Sequence, residues 1–214
     1  MQTTTSYSPL LKTLFPQRTA FQPVLLVLLG SLFLGLLAQV SIILPFTPVP
    51  ITGQTLGVAL IGASLGRKLG FLTVITYLVE GVAGLPVFSA GGFGLAKLLG
   101  PTGGYLVAFP FAAALIGFLV EKYGADRKFF PTLFSMLAGD LITFTLGATW
   151  LAVWLAIGGK FPGIFGVLMM GVIPFLPGSL IKASLAAGLL PTTWKLIGNN
   201  DRVDTPTSKK RGIL

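Results

Sequence analysis

Among its 214 residues the sequence has no cysteine and no histidine. Without cysteine there is no disulfide, no thioether-linked haem and no thiolate metal site. The lack of histidine removes the common zinc and iron sites and imidazole acid–base catalysis. Charge is scarce as well: 10% of the residues are charged, whereas soluble domains carry about a quarter. So little charge cannot solvate a water-facing surface, and 53% of the residues are hydrophobic. Lipid is therefore the expected solvent for most of the chain. Also missing are a Gly-x-x-x-x-Gly-Lys-Ser/Thr phosphate loop, a His-Glu-x-x-His motif, an Arg-rich helix and a Ser/Lys or paired-Asp arrangement for intramembrane proteolysis. The chain is not expected to hydrolyse ATP by itself, and little remains from which to build an enzyme.

What is present is a series of apolar runs. A helix needs about 20 apolar residues to cross roughly 30 Å of hydrocarbon. Runs bounded by charges and Pro/Gly clusters lie at about 23–44, 54–66, 69–85, 104–120, 131–157 and 176–190. They predict an all-α membrane protein with six transmembrane helices. The first run is longer than the core of a signal peptide and no Ala-x-Ala site follows it, so it is expected to stay as the first helix. A further apolar stretch, 164–175, is too short to span and ends near Pro174; it is expected to form a half-helix or interfacial turn. The domain reading is a cytoplasmic tail over 1–22, one transmembrane domain over 23–192, and a basic, disordered cytoplasmic tail over 193–214.

Net charge is +9, which in another setting would suggest nucleic acid. Here the cations follow membrane topology instead, because Lys and Arg concentrate in cytoplasmic loops. With the N-terminus inside, the inner connections hold Lys12 and Arg18, then Arg67 and Lys68, then Lys122, Arg127 and Lys128. The C-terminal side adds Lys195, Arg202, Lys209, Lys210 and Arg211, so twelve of the 15 basic residues are inside. Only Lys97 and Lys160 fall outside, and Lys182 falls within a span. This partition predicts an even helix count with both termini cytoplasmic, and no nucleic-acid partner.

Two outer connections are specialised. Residues 45–52 carry Pro45, Pro48 and Pro50 and no charge, which makes a stiff, extended loop. Residues 86–103 carry Gly91, Gly92, Gly94, Gly100 and Gly103, which permit close approach to a ligand and hinge motion. Both loops on one side of a helical bundle suggest a lid over a cavity, with Phe46, Pro48, Pro50 and Phe93 as gating positions. The alternative, plain interhelical turns, fits the length of the second loop poorly.

Ionisable groups inside a membrane are costly and mark candidate sites. Three qualify: Glu80, Asp140 and Lys182. Glu80 and Lys182 are expected at similar depth, about 8 Å below the outer ends of their helices, and an ion pair between them is an equal alternative to a ligand role. Near the start of the last helix, Lys182 combines an ammonium with amide donors and the helix dipole, which suits a carboxylate. On the first helix Ser31 and Gly35 have small-xxx-small spacing, as do Gly53/Gly57 and Gly62/Gly66. Internal packing is the default reading of that spacing. A docking face for a partner membrane protein is the sharper one.

Several blocks together resemble the BioY family, the biotin-binding S-components of energy-coupling-factor transporters. They are Pro48-Val49-Pro50-Ile51-Thr52-Gly53-Gln54-Thr55, Tyr77-Leu78 with Gly81, Gly84-Leu85-Pro86-Val87-Phe88, and Gly91-Gly92. Further blocks are Gly100-Pro101-Thr102-Gly103-Gly104-Tyr105-Leu106, Gly147-x-x-Trp150 and Pro174-Phe175-Leu176-Pro177-Gly178-x-x-x-Lys182. The resemblance runs in order over roughly 20–192. It implies a six-helix fold that binds biotin from outside under the two outer loops. It also implies a transmembrane coupling subunit and two ATPase subunits as partners, in a bacterial plasma membrane, with biotin as cargo and no cofactor. A solitary carrier without ATPase partners, with Glu80 or Asp140 relaying protons, is the competing reading. By family analogy the pocket takes in Gly91, Gly92, Tyr105, Leu106 and the 177–182 segment. Where the family pattern is Pro-Gly-Asp-x-x-Lys, this chain has Ser179, and Asp140 or Glu80 is expected to supply the missing acceptor. Phe144 stands where the family often has tyrosine. Biotin has a neutral bicyclic head and a charged tail, so apolar walls, a few polar groups and one cation are required. Phe46, Phe88, Phe93, Tyr105 and Trp150 are the expected walls and Lys182 the expected cation.

Overall fold

The computed structural model describes residues 7–14, 19 and 21–197. Arg18 and the expected basic tail from 198 onward lie outside the described residues. Among the described residues, five helical stretches are long and apolar enough to cross a membrane: Gln22–Gln39, Gln54–Val82, Gly103–Tyr123, Phe129–Ile157 and Gly163–Ile197. A short helix, α1 (Leu10–Leu14), precedes them, and α2 is Gln22–Gln39. Pro23 stands in the first turn of α2, where its missing N–H costs no hydrogen bond. α2 is apolar all round: Leu34 and Ala38 face the core, while Leu25, Leu29, Leu32 and Leu36 are exposed. In water that pattern would be unstable, but in lipid both faces are satisfied.

The chain then forms a small antiparallel ladder, β1 (Ser41–Ile42) with β2 (Ile51–Thr52), pairing Ser41 with Thr52 and Ile42 with Ile51. The proline loop is the tip of this ladder. Thr47 secures it, receiving the Val49 N–H at 3.1 Å and donating its hydroxyl to the Met170 carbonyl at 2.6 Å.

α3 (Gln54–Val82) contains both the second and the third expected helices. The backbone leaves helical geometry at Gly66, with φ +80° and ψ −178°. Gln54 Nε2 nonetheless donates to Tyr77 Oη at 2.7 Å, although 23 residues of straight helix would separate them by about 35 Å. α3 is therefore a hairpin of two antiparallel limbs that turn at Gly66. The limbs pack closely because Gly62 and Gly70 face each other without side chains, and a Cβ on Gly62 would also stand 2.5 Å from the Ala113 carbonyl oxygen. So the Gly62/Gly66 spacing serves packing within the chain.

The glycine-rich connection holds one short helix, α4 (Leu95–Leu99), before α5 (Gly103–Tyr123). α5 ends at Gly124 in the left-handed conformation, whose N–H caps the Val120 carbonyl at 2.8 Å. After α6 (Phe129–Ile157) comes α7 (Gly163–Gly171), the expected half-helix, then one turn at Ile173–Phe175 and α8 (Leu176–Ile197). α8 continues past 192, so residues 193–197, assigned above to the tail, are helical. Buried apolar residues gather in three clusters. The cavity described next lies where Phe88, Leu106 and Phe109 of one cluster approach Val49 and Tyr105 of another.

Candidate functional site

The beginnings of α3, α5 and α8, the middle of α6 and the two specialised loops converge around a cavity of about 50 Å³. The walls are mainly apolar: Val49 and Pro50 from the proline loop, Phe88 from the glycine-rich loop, and Tyr105, Leu106 and Phe109 from α5. Phe144 and Phe175 close another side, their rings 6.5 Å apart. Pockets for small molecules usually enclose roughly 300 Å³ or more, so a ligand of that class has to part these walls to enter.

A chain of hydrogen bonds ties the walls together. The Thr52 hydroxyl donates to Gln54 Oε1 at 3.0 Å, Gln54 Nε2 to Tyr77 Oη at 2.7 Å, and the Tyr77 hydroxyl to the Val87 carbonyl at 3.1 Å. The relay links the proline loop, both limbs of α3 and the glycine-rich loop. Phe88 is 1% exposed and meets Tyr77 edge-on, with ring centroids 5.5 Å apart. Gln39, at the end of α2, fastens the same loop from outside. Its Nε2 donates to the Phe88 carbonyl at 3.2 Å and its Oε1 accepts the Gly91 N–H at 2.9 Å. Between them Ala90 is held at φ +55°, an unfavourable conformation for a residue with a Cβ. On the far side the Tyr105 hydroxyl donates to the Gly171 carbonyl at 2.7 Å and joins α5 to α7.

Polar groups enter from α8 and from the loop. Lys182 lines the cavity, and its Nζ donates to the Thr52 carbonyl at 3.0 Å and to Thr55 Oγ1 at 2.5 Å. Ser179, one turn earlier, lines the cavity and donates its hydroxyl to Asp140 of α6. The carboxylate thus reaches the cavity through a serine. Lys97 of α4 supplies a second cation to the same walls.

A family model for the BioY family matches residues 10–199. The chain belongs to the BioY family. Among relatives, "Probable biotin transporter BioY" of Pyrococcus horikoshii is 38% identical over 149 residues, covering 70% of this chain and 82% of that protein. "Biotin transporter BioY" of Rhizobium etli is 38% identical over 160 residues, covering 72% and 81%. A crystal structure of "the S-component for biotin from an ECF-type ABC transporter" superposes with a TM-score of 0.73 at 31% identity, covering 84% of this chain and 95% of that one.

In this BioY-family member the structure sorts the expected site residues. Lys182, Ser179, Phe88, Tyr105, Leu106 and Pro50 line one cavity, and Asp140 stands directly behind Ser179. Gly91 and Gly92 shape the loop beside it, and Gly92 leaves room for the stem of Lys97. Five expected residues lie elsewhere. Glu80 accepts the Ser31 hydroxyl at 2.8 Å between α2 and α3, and so pairs with neither Lys182 nor Ser179. Trp150 donates from Nε1 to the Gly100 carbonyl at 2.8 Å and steadies the end of the glycine-rich loop. The rings of Phe46 and Phe93 point outward, more than half exposed. Pro48 is exposed too. Ser31 and Gly35, the expected docking pair, are both buried, Ser31 on Glu80 and Gly35 against Val87.

Several lining residues were not singled out from the sequence: Thr52, Gln54, Thr55, Lys97, Phe109 and Thr143. Lys97 carried a signal, as the one cation in an otherwise uncharged outer loop. Gln54 carried another, as an amide at the start of an apolar run. Nothing in the sequence marked Phe109 or Thr143 apart from other span residues.

Proposed function

We propose that this chain is a membrane substrate-capture subunit for biotin uptake. It takes biotin from the outer side and delivers it inward together with an ATP-driven coupling module. The observation that carries the reading is the cavity's chemistry: aromatic and aliphatic walls, a serine–carboxylate pair beside Lys182, and Lys97 on the loop side. Biotin needs walls for its thiophane ring, hydrogen-bond partners for its neutral ureido group and a cation for its valerate carboxylate. Family membership and relatives described as biotin transporters support the substrate. The S-component neighbour supports work with a transmembrane coupling subunit and two ATPase subunits rather than as a solitary carrier. Six crossings follow when the two limbs of α3 each count as one, with both termini on the cytoplasmic side of the plasma membrane. The proline and glycine-rich loops then cap the cavity from outside and part to admit substrate. The protein binds and moves its cargo without changing it chemically.

In this reading Lys182 holds the carboxylate. A second assignment is favoured by the position of Asp140, whose carboxylate stands beside Ser179 on the same side as Lys182. That side offers acceptor and donor together, which suits the neutral ureido group, and leaves the carboxylate to Lys97. The serine hydroxyl, donating to Asp140, is polarised and so accepts a ureido N–H more strongly. Binding of biotin and of biotin methyl ester to detergent-purified protein separates the two assignments. Lys182→Ala is expected to weaken biotin binding roughly 10- to 100-fold, the value of a desolvated charged hydrogen bond, while Lys160→Ala changes little. If Lys97 holds the carboxylate, Lys97→Ala weakens biotin but not its ester, and Lys182→Ala weakens both. Wild-type protein that binds no biotin defeats the function, and equal affinity in Lys182→Ala and Lys160→Ala defeats the role of Lys182.

A further inference from the structure

At the opposite end of the first α3 limb, about 15 Å from Thr55, two surface features meet that the biotin cavity does not use. One is a pocket of about 420 Å³ lined by Lys12 of α1 and by Arg67 and Lys68 at the hairpin turn. All three cations are exposed. The pocket contains one carboxylate, Glu121, and its Oε1 accepts the backbone N–H of Arg67 at 3.0 Å. Two other cations at this end are occupied by rings: Lys122 lies 5.3 Å from the Phe118 ring, and Arg127 lies 4.2 Å from that of Trp194. The second feature is an apolar groove of about 510 Å³ between α1, α2, α3 and α8, lined by Leu11, Phe33, Ile61, Leu65 and Leu190 among others. Leu65 belongs to both features. The short helix α1 divides them, with Leu11 on the groove and Lys12 on the pocket.

We infer that pocket and groove together bind an anionic phospholipid, with the phosphate among Lys12, Arg67 and Lys68 and one acyl chain along the groove. Charge complementarity selects the occupant. Three cations against one carboxylate favour a headgroup with net negative charge and disfavour one that brings a quaternary ammonium of its own. A free phosphate would leave the groove unused, and an apolar protein helix would leave the cations unused. Only an amphiphile with an anionic head satisfies both at once. The cation-rich side is also where anionic lipid is attracted by basic loops and pockets between helices.

The test is lipid retention by delipidated, detergent-purified full-length protein, read by native mass spectrometry, with monodisperse elution checking the fold of each variant. Wild type is expected to retain dioleoyl phosphatidylglycerol about 10-fold better than dioleoyl phosphatidylcholine. The triple variant Lys12→Gln, Arg67→Gln, Lys68→Gln loses that preference, and the charge-matched Lys122→Gln, Lys128→Gln, Lys195→Gln keeps it. Thr193→Phe, which fills the groove, weakens the dioleoyl lipid but not dihexanoyl phosphatidylglycerol. Equal retention of the two dioleoyl lipids by wild type overturns the inference, as does equal loss of preference in both charge variants. Competition by inorganic phosphate as effective as that by the lipid reduces the site to a plain anion pocket and overturns the lipid. Crosslinks from position 193 to a second protein, without any phosphatidylglycerol preference, would assign the groove to a protein helix instead.

Discussion

Asp126, in the turn between α5 and α6, is 1% exposed, and burial pushes its carboxyl up to about 6. The Trp194 indole donates to its Oδ2 at 2.5 Å, and Arg127 stacks on the same indole; both oppose the effect of burial but do not cancel it. Oδ1 is buried without a hydrogen-bond partner among the described residues, and that is the physical source of the cost of charging it. The sign follows from linkage. An unfolded aspartate titrates near 3.9, so between that value and about 6 the folded protein holds the proton more tightly. Stability from this group is full below about pH 4, falls as pH rises through 6, and is then flat, with a total on the order of 3 kcal/mol. Asp126→Asn keeps an acceptor for Trp194 and removes the titration. Thermal unfolding of purified protein from pH 4.5 to 7.5 should show wild type losing stability relative to the variant as pH rises. A wild type that gains on the variant over that range contradicts the assignment.

At the scale of elements, the α3 hairpin decides the site, because its turn returns Tyr77 to Gln54 and so closes the relay beneath the two loops. Gly66 makes the turn at φ +80°, and an added Cβ would collide with the Glu121 carboxylate and stand 2.7 Å from Pro9. Alanine there has to bear both left-handed backbone strain and the displacement of Glu121. Gly66→Ala should therefore cost more than about 1 kcal/mol of stability. Gly188 is the contrast. It lies inside α8, and a Cβ there meets nothing within 4 Å, so Gly188→Ala should be neutral or stabilising by up to about 1 kcal/mol. Melting temperatures of the two variants in the same detergent check the pair. Equal shifts would show that Gly66 is not a strained turn.

For the whole molecule, a directed topology can be tested directly, because the chain has no cysteine to remove. Single cysteines at Phe46 and Lys160 should react with a membrane-impermeant maleimide in intact cells, and those at Lys68 and Lys128 only after permeabilisation. Labelling at Lys68 from outside would invert the topology and detach the two loops from the outer face. Apolar run length and the scarcity of charge were enough to read a helical membrane bundle, since transfer to lipid depends on local composition, and the partition of Lys and Arg supplies the orientation that this labelling tests. The Gly-Leu-Pro-Val-Phe, Gly-Pro-Thr-Gly-Gly-Tyr and Pro-Gly-x-x-x-Lys blocks were enough to point to the family and to Lys182, Ser179 and Tyr105. Which polar residues meet was not legible, because a helix turns every residue to one direction and only packing selects the partner. Tertiary structure alone brought Asp140 rather than Glu80 to Ser179, buried Ser31 and Gly35 inside the bundle, and turned Phe46, Phe93 and Trp150 away from the cavity. It also folded two expected helices into one hairpin and drew Lys97 from a loop into the cavity wall. Hydrophobicity along the chain thus determined that it folds into apolar helices able to enter a membrane. Side-chain convergence, which depends on helix rotation and close glycine contacts, decided what it can hold.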